Sequence, residues 1–396
     1  MKNRFKNLIL ILFFIFFGLG KIKANEPFIF NITEIEILEN GNQINGYKGG
    51  KAISADGSTI TAENFFYNKL TNILKVTGGV EYLDKSKNTA ITSNKAIYFK
   101  NDEKIYTTGN SKAANKKNTI TSSNLEYDKI NNIFNAKENA VITDFEKDTI
   151  IYADEITYFK NEEKVFTQGN SKAVNENNTI TASNFEYDKI NNIFKAKGNS
   201  KAVNEKNTIT SSNLEYDKIN NIFNAKENAV ITDFEKDTII YADEITYFKN
   251  EEKVFTQGKT EALIEEKYKF NSENLSYFRN SGDLFSQKRS SVEDDSGNIY
   301  KLKSFTYNIG KELLKGKKVK VLAKVEGNKI DQYFFSEGFF NFKDKSHIAK
   351  ETKINVHKNV FENEMLKLKI DPKLYGYQDP RIYGSSSYSD KSKTVV

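Results

Sequence analysis

Apolar residues recur along most of this sequence with a period close to 30. The clearest markers are nine tyrosines spaced 29 to 31 residues apart: Tyr67, Tyr98, Tyr127, Tyr158, Tyr187, Tyr216, Tyr247, Tyr277 and Tyr307. The residue two positions before each tyrosine is always apolar, for example Phe65 and Leu125. An apolar i, i+2 pair among Ile and Thr residues is typical of a strand that buries one face. The pattern therefore predicts one such strand in every repeat.

Two further apolar segments follow each tyrosine. Six to eight residues later comes a pair such as Ile133-Phe134 or Ile193-Phe194, and residues 140–142 illustrate the third segment. Asn and Asp residues, which favour turns, separate the segments. No stretch of the repeats has convincing helical periodicity. We predict about three short strands per repeat and an all-β fold, namely an elongated, solenoid-like β-jellyroll in which two antiparallel sheets face each other.

The repeats include a long internal duplication. Residues 109–169 recur as residues 198–258 with only two differences, Ala114 against Val203 and Lys116 against Glu205. The offset of 89 residues equals three repeats, and arrays held by neighbour contacts tolerate a change of whole repeats. We predict a repeat domain of about nine units over residues 25–310. A β extension is expected over residues 311–371, followed by an irregular linker over residues 372–396.

The first 24 residues have the order of a secretory signal. Three basic residues precede the apolar run LILILFFIFFGL, and Ala24 is a suitable residue before a cleavage point. A transmembrane helix needs about 20 apolar residues, and this run is shorter. We therefore predict a signal peptide over residues 1–24, with an uncleaved anchor as the alternative.

Composition excludes several classes of function. The formal net charge of +6 falls to +1 without the five basic residues of the first 24, so the argument for a nucleic-acid partner loses its support. The chain has no cysteine, which excludes thiol catalysis and disulfides. Its two histidines, His347 and His357, lie near the C-terminus. A histidine-centred active site within the repeats is therefore excluded.

The remaining polar candidates do not form a distinctive constellation. Carboxylates such as Glu126 and Asp128 flank the tyrosine in one repeat after another, whereas an active site needs one particular arrangement. Residues 294–298 lack the ligand spacing of a calcium loop, and we interpret them as a polar turn. His347 and His357 are interpreted as surface residues. We expect no catalytic, metal or cofactor site and predict that the protein is not an enzyme.

The inward apolar positions are the better candidates for binding. If the two sheets close completely, these residues form only a core; if the sheets splay, the same residues line an apolar groove for acyl chains. The sequence leaves both arrangements open. The groove candidates are Phe65, Ile120, Leu125, Phe134, Ile156, Ile180, Phe185, Phe194, Leu214, Phe223, Ile245 and Leu275.

The repeat pattern is similar to that of a known family. Residues 182–189 and 192–199 resemble the OstA-type repeat shared by LptA-like periplasmic bridge proteins and the periplasmic domain of LptD-type lipopolysaccharide-assembly proteins. Residues 337–345, 354–361 and 379–387 are similar to the segment that joins this domain to the outer-membrane barrel in the LptD family. On this resemblance, the chain is interpreted as an LptD-like periplasmic domain without its barrel.

The resemblance implies a non-covalent function in lipopolysaccharide transport. It implies a periplasmic protein, associated with the outer membrane, that holds acyl chains in its groove and delivers lipopolysaccharide to that membrane. The implied partners are lipopolysaccharide, an LptA-like bridge protein added at a strand edge, an LptE-like lipoprotein and an outer-membrane barrel. The docking candidates in the first strand are Ile29, Ile32, Ile35 and Ile37. A surface-exposed β-solenoid adhesin or structural protein with a closed core is the alternative.

Overall fold

The computed structural model of the chain describes residues 27–175, 178–325, 329–357 and 381–396. The predicted signal peptide lies outside these ranges. The chain divides into two compact units, unit 1 (Met1–Ala140) and unit 2 (Val141–Val396). Short 3-10 turns occur at Glu39–Gly41 and Lys249–Glu251, and the described residues contain no α-helix. No helix in these ranges has the length and apolar character needed to cross a bilayer.

Strands make up nearly all of both units. In unit 1 they are β1 (Phe28–Leu38), β2 (Gln43–Ser54), β3 (Thr59–Ala62), β4 (Asn64–Asn68), β5 (Ile73–Asp84), β6 (Thr89–Phe99), β7 (Lys104–Ala114) and β8 (Asn118–Asp128). Strand β9 (Ile133–Asp144) contains the boundary between the units.

The strands of unit 2 continue the numbering. They are β10 (Thr149–Phe159), β11 (Lys164–Gln168), β12 (Ser171–Asn175), β13 (Asn178–Ala182), β14 (Asn184–Asp188), β15 (Ile193–Val203), β16 (Asn207–Asp217), β17 (Ile222–Asp233), β18 (Thr238–Phe248), β19 (Lys253–Ile264), β20 (Tyr268–Ser272), β21 (Ser276–Phe278), β22 (Asp283–Ser286), β23 (Ser290–Glu293), β24 (Ile299–Leu302), β25 (Ser304–Asn308), β26 (Leu313–Val325), β27 (Lys329–Asn341), β28 (Ser346–Asn355), β29 (Arg381–Ser389) and β30 (Thr394–Val395).

Successive strands pair antiparallel, as in the hairpins β15–β16, β16–β17 and β17–β18. Burial alternates along the strands of the repeats, for example β16, with the period of two that the sequence showed. All nine marker tyrosines are at most 2% exposed, and the apolar residues two positions before them are buried as well. The prediction of an all-β fold in which each repeat buries one strand face is confirmed.

The prediction of three short strands per repeat holds in some repeats and fails in others. After β10, residues 164–175 form the two short strands β11 and β12, whereas residues 140–142 form the second half of β9, which begins at Ile133 and gives its repeat two strands of about eleven residues. The polar doublet Glu138-Asn139 inside β9 has φ angles of 63° and 55°. Two residues in this left-handed conformation interrupt the ladder without reversing the chain, which is a β-bulge rather than a turn. Its polar sequence resembles that of a turn.

Each long strand folds at its bulge. Asn207 at the start of β16 pairs with Asp233 of β17, and Asp233 pairs with Thr238 of β18. Asn207 and Thr238 therefore lie at the same height in the sheet. Tyr247 lies nine residues farther along β18, which is about 30 Å in a straight strand. Its hydroxyl is nevertheless 3.1 Å from the Asn207 side-chain nitrogen. The two strand halves must therefore face each other across a bend.

The two predicted facing layers are thus the two halves of the same strands. We call the half that carries the marker tyrosine the first wall and the other half the second wall. Unit 1 has the same design, since the ring of Tyr82 in the second half of β5 lies 6.3 Å from the Tyr127 ring in the first wall. In unit 2, Tyr268 of the second wall lies 5.9 Å from Tyr307 of the first.

Glycine occupies the bend where its surroundings require it. Gly258 has a φ of 78°, and a Cβ atom there would lie 2.2 Å from a carboxylate oxygen of Asp243. Gly198 has a φ of 77° in the preceding glycine bend. Positive φ is accessible to glycine at little cost. These residues allow successive bulges to form the common fold line of the two walls.

The C-terminal region differs from the expectation. An irregular linker was predicted over residues 372–396, but Arg381–Ser389 form strand β29, which pairs with β28. The run Gly-Ser-Ser-Ser at 384–387 has no apolar alternation, so only the ladder with β28 reveals it as a strand. Residues 372–380 lie outside the described ranges. The predicted β extension does contain strands β26, β27 and β28.

The histidines are not free surface residues. His347 packs 5.3 Å from the Phe335 ring, and its two ring nitrogens lie 3.1 Å from Ser387 Oγ and 2.6 Å from Ser389 Oγ. This burial lowers the pKa of His347. The Nδ1 atom of His357 lies 2.7 Å from a carboxylate oxygen of Asp331. Both histidines are thus half-buried and hydrogen-bonded, His347 between β28 and β29 and His357 to Asp331.

Candidate functional site

The predicted groove residues line the interior between the two walls. All twelve are between 0% and 3% exposed: Phe65, Ile120, Leu125, Phe134, Ile156, Ile180, Phe185, Phe194, Leu214, Phe223, Ile245 and Leu275. The first four belong to unit 1 and the others to unit 2. In each unit these side chains are buried, so in this structure the walls are closed over them. Whether they contact a lipid remains a prediction.

A row of stacked rings lines the first wall of unit 2. The Tyr187 and Phe194 rings are 4.0 Å apart, and the Tyr216 and Phe223 rings are 4.1 Å apart. The row exists because each tyrosine is directly opposite a phenylalanine of the next strand. Burial raises the pKa of Tyr216 and of Tyr247 to about 12. Their hydroxyl groups therefore stay protonated and can donate hydrogen bonds at the edge of the interior.

Turns border the interior on the side opposite the bend. The first rim consists of the four-residue turns that follow the tyrosine strands, which in unit 2 are 160–163, 189–192, 218–221, 249–252, 279–282 and 309–312. The second rim consists of the turns at the other strand ends, which in unit 2 include 145–148, 204–206, 234–237, 265–267 and 294–298. The two rims meet along a line that we call the seam.

Side chains alone bridge the seam in the described part of the chain. Backbone hydrogen bonds there join neighbouring turns of one rim, such as Lys218 N to Asn192 O on the first rim and Phe234 N to Lys206 O on the second. None of them runs from rim to rim. The walls are therefore covalently continuous at the bend, whereas at the seam they are held by contacts that can break one at a time.

Ion pairs form one class of seam contact. In unit 1, Lys129 reaches across to Asp84 at 3.6 Å and contacts Asp56. In unit 2, Lys189 Nζ lies 3.2 Å from Asp144, with both side chains 5% exposed or less. The pairs of Lys129 with Asp84 and of Lys189 with Asp144 are enclosed, so removal of one partner would leave a buried charge. These ion pairs close the seam firmly where they occur.

A cluster of ion pairs in unit 2 is centred on Arg279. Its Nε lies 2.8 Å from Asp233, which also accepts a 3.1 Å hydrogen bond from Tyr277. A further nitrogen of Arg279 contacts Glu235. Burial by itself would lower the pKa of Arg279, but the carboxylates of Glu235 and Asp233 raise it. The guanidinium group therefore remains charged and bridges the two rims.

Neutral hydrogen bonds form the second class of seam contact. Asn178 on the second rim is 3.5 Å from the Tyr216 hydroxyl and accepts a 2.9 Å hydrogen bond from Lys249. Asn207 donates a 3.1 Å bond to the Tyr247 hydroxyl. A polar cleft of about 560 Å³ opens between the rims at this point. Its lining residues are Glu146, Lys147, Asp148, Asn175, Asn178, Asn192, Tyr216, Lys218, Asn221, Lys249 and Asn250.

The predicted docking strand is largely exposed. Ile29, Ile35 and Ile37 are 63%, 43% and 64% exposed. Ile32 is partly buried, because Gly46 leaves room for its side chain: a Cβ there would lie 2.5 Å from Ile32 Cδ1. Among the strand pairings of the described residues, β1 takes part only in the one with β2. Its apolar side chains are thus presented beside a strand edge.

The recurring carboxylates have structural partners. Glu126 pairs with Lys104 at 2.9 Å. Asp217 accepts hydrogen bonds from the backbone and the side chain of Asn220, and these bonds lower the pKa of Asp217. Within the described ranges, no group of three or more His, Cys, Asp or Glu side chains is placed to hold a metal ion. The acids beside the tyrosines therefore act in turns and cross-strand pairs.

The seam residues are the functional candidates that sequence reasoning missed. Asp144, Asn178, Asn207 and Asp233 each lie where a second-wall strand meets its rim. The available signal was positional, since each of them follows or precedes an apolar alternation in its own repeat. Their partners lie 38 to 71 residues away in the chain. A repeat period of 30 does not reveal contacts at these separations.

Similarity to known proteins is found among solved structures. No protein-family model matches the sequence, and no curated protein matches it. The chain is similar to LptH from Pseudomonas aeruginosa, the LptA-homologous periplasmic component of the conserved lipopolysaccharide transport device. The sequence identity is 19% and the TM-score is 0.27. The match covers 29% of this chain and 85% of LptH, so the compared region is most of LptH and a minor part of this chain.

Proposed function

We propose that this chain is a periplasmic lipopolysaccharide-binding module that carries lipopolysaccharide toward the outer membrane. The observation that carries the proposal is the seam, because an apolar interior lies behind a border that side chains alone bridge in the described residues. Parting the rims would admit acyl chains between the walls. Apolar burial contributes about 25 cal/mol per Å² without fixing direction, so it holds a chain that can still slide. The OstA-type repeat pattern supports the same function.

The first strand is the proposed docking edge for an LptA-like bridge protein. Strand addition needs free backbone donors and acceptors and accessible side chains beside them. Strand β1 supplies the edge, and the exposed Ile29 and Ile37 supply apolar contacts. An LptE-like lipoprotein and an outer-membrane barrel are further partners that the sequence resemblance implies. In this proposal the protein binds and relays its ligand and performs no catalysis.

Photocrosslinking in cells tests the proposed function. A photoreactive amino acid at Phe185, which is 3% exposed, should crosslink to lipopolysaccharide when the interior holds acyl chains. The same amino acid at the exposed Lys197 serves as the outward control and should give no lipid adduct. Crosslinks from Phe185 to protein alone would contradict the proposal.

The closed interior favours a second candidate function. Because the groove residues are at most 3% exposed, the same structure suits a surface adhesin or structural protein whose interior binds nothing. Protease treatment of intact cells separates the two candidates. Cleavage from outside supports the surface protein, whereas protection until the outer membrane is permeabilised supports the periplasmic module.

A further inference from the structure

A groove of about 470 Å³ crosses the outer face of the first wall in unit 2. It runs over four consecutive strands, β15 to β18, and lies on the opposite face of the wall from the apolar interior. Neighbouring strands are about 4.8 Å apart, so the groove is about 14 Å long across the sheet. Its volume is typical of sites for small ligands. The groove is therefore a second candidate site, separate from the interior and from the seam.

Side chains of both charges alternate across the groove. One cross-strand row, in which each residue is directly opposite the next, consists of Lys195, Glu215, Asn224 and Thr246. In the neighbouring row, Lys226 Nζ lies 3.6 Å from Glu244. A polyanion would be repelled by the carboxylates and a polycation by the lysines, so neither suits the groove. Hydroxyl groups both donate and accept hydrogen bonds, so a ligand with many hydroxyl groups can use side chains of both kinds.

The internal duplication distinguishes Glu215 from its counterpart in the other copy. That counterpart, Glu126, is paired with Lys104 at 2.9 Å. The residue 89 positions after Lys104 is Ile193, which carries no charge. Glu215 therefore lacks the ion pair that holds Glu126, and it lines the groove instead.

Four phenylalanine rings continue the outer face beyond the groove. Phe255 is directly opposite the lining residue Thr246 and is 36% exposed. Its ring lies 5.7 Å from Phe248 and 6.1 Å from Phe278, both edge-to-face, and the Phe278 ring lies 5.2 Å from that of Phe285. The C–H groups on the face of a sugar ring carry partial positive charge, which suits the negative face of an aromatic ring. Rings beside a polar groove thus fit a carbohydrate.

The position of the groove narrows the choice of ligand further. The backbone groups of β15 to β18 are already paired with one another, so a peptide cannot bind here by strand addition. Lys197 and Lys226 lie next to Gly198 and Glu227 of the bend. A lipid that enters through the seam keeps its sugars at the other side of the wall, so the carbohydrate in the groove belongs to a separate molecule.

We propose that this groove binds an uncharged oligosaccharide of a molecule other than the lipid in the interior. Glu215 and Glu244 accept hydrogen bonds from its hydroxyl groups, and Lys195 and Asn224 donate to them. Phe255 packs against a sugar ring at the β19 end. The inference goes beyond the proposed function, because it requires no acyl chain between the walls. A protein bound in this way would be held at a glycan surface with its seam facing away from that surface.

Equilibrium binding of soluble probes without acyl chains tests the proposal. The probes are a tetrasaccharide of N-acetylglucosamine, a tetrasaccharide of glucose, the lipid-free sugar part of lipopolysaccharide and a short uncharged peptide. One groove variant is Phe255→Thr, and the other is Lys197→Ala with Glu244→Ala, which leaves the net charge unchanged.

Two control variants lie away from the groove in the same unit. Tyr241→Thr removes an exposed ring from the second wall, and Lys267→Ala with Glu265→Ala removes an ion pair from the second rim. Thermal unfolding of each variant shows whether it is folded.

Wild type should bind at least one tetrasaccharide, and each groove variant should weaken that binding about tenfold, because it removes an aromatic contact or two charged hydrogen-bonding groups. Both controls should bind as wild type does. Absence of tetrasaccharide binding, or binding that the groove variants leave unchanged, would overturn the inference. Tighter binding of the peptide, or of the lipid-free sugar part of lipopolysaccharide, would overturn it too, since the groove would then serve a protein or the cargo itself. Because no probe carries acyl chains, the proposed function is tested separately.

Discussion

At the scale of single residues, glycine and glutamate occupy equivalent positions in successive bends. Gly198 has a φ of 77°, and Glu227, 29 residues later, has a φ of 63°. The left-handed conformation costs an L-residue about 1–2 kcal/mol, whereas glycine adopts it readily. The positions along the fold line therefore have the same backbone conformation but differ in its conformational free-energy cost.

Exchange of these residues should change stability in opposite directions. We expect Glu227→Gly to raise the free energy of unfolding by about 1 kcal/mol and Gly198→Ala to lower it by about 1–2 kcal/mol, since only the second introduces left-handed strain. Urea unfolding measures both changes. Glu215→Gly, within a regular part of β16, is the control and should be destabilising. A destabilised Glu227→Gly variant would contradict the role given to the bend.

At the scale of elements, the ion pairs and amide contacts of the seam should differ in strength. Asp233 and Arg279 are 6% and 9% exposed, so removal of one partner leaves the other charge buried and unpaired. We expect Arg279→Met to lower the free energy of unfolding by about 3 kcal/mol. The double variant with Asp233→Asn should recover part of this loss. Chemical unfolding of the two variants and wild type provides the measurement.

A surface pair in the same unit provides the control. Lys253 and Glu251 lie 2.6 Å apart with side chains 38% and 56% exposed. Solvent screens such a pair, so Lys253→Met should cost about 0.5 kcal/mol or less. If Arg279→Met were no more costly than Lys253→Met, the Arg279 contact would not be a closing contact of the seam.

The strands could be predicted from the sequence, whereas their bend could not. Alternating burial of positions such as Leu125 and Tyr127 follows directly from the period of two. A straight strand and a folded strand have the same alternation of apolar and polar residues, so this pattern does not predict which of them forms. The Glu138-Asn139 bulge was indistinguishable from a turn, because both favour polar residues that tolerate positive φ. Only the hydrogen-bonding of the flanking residues to neighbouring strands distinguishes a bulge from a turn.

The candidate site was predictable in its apolar part alone. Phe185 and Leu214 were identified as inward residues because each precedes a marker tyrosine by two positions. Lys249 and Asn178 could not be paired from sequence, since they lie 71 residues apart and meet only after the walls fold together. The sequence also left open whether the interior is closed. Packing of the whole set of inner side chains decides that question, and no local pattern encodes it.

At the scale of the whole molecule, lipid binding should depend on separation of the rims. Asn175 and Asn250 line the same cleft from opposite rims, and the chain contains no cysteine that would interfere with labelling. We expect a short, reducible crosslink between Asn175→Cys and Asn250→Cys to reduce lipid A binding at least tenfold, because the walls can no longer part there. Reduction of the crosslink should restore binding.

The control crosslink lies along one rim. Asn191 and Asn220 occupy corresponding positions in neighbouring turns of the first rim. A crosslink between Asn191→Cys and Asn220→Cys leaves the seam free, and lipid binding should be unchanged. Equal binding by the seam-crosslinked protein and by wild type would show that entry requires no opening at this cleft.

The side-chain seam has a topological consequence. A closed tube can be loaded only through its ends, and anything that travels inside must be no wider than its bore along its entire length. A tube with a lengthwise slit can be loaded from the side at any point. A cargo with one narrow part and one bulky part can then move with the narrow part inside and the bulky part outside. Replacing the side-chain contacts by one continuous ladder of backbone hydrogen bonds would abolish that freedom while leaving the apolar interior intact.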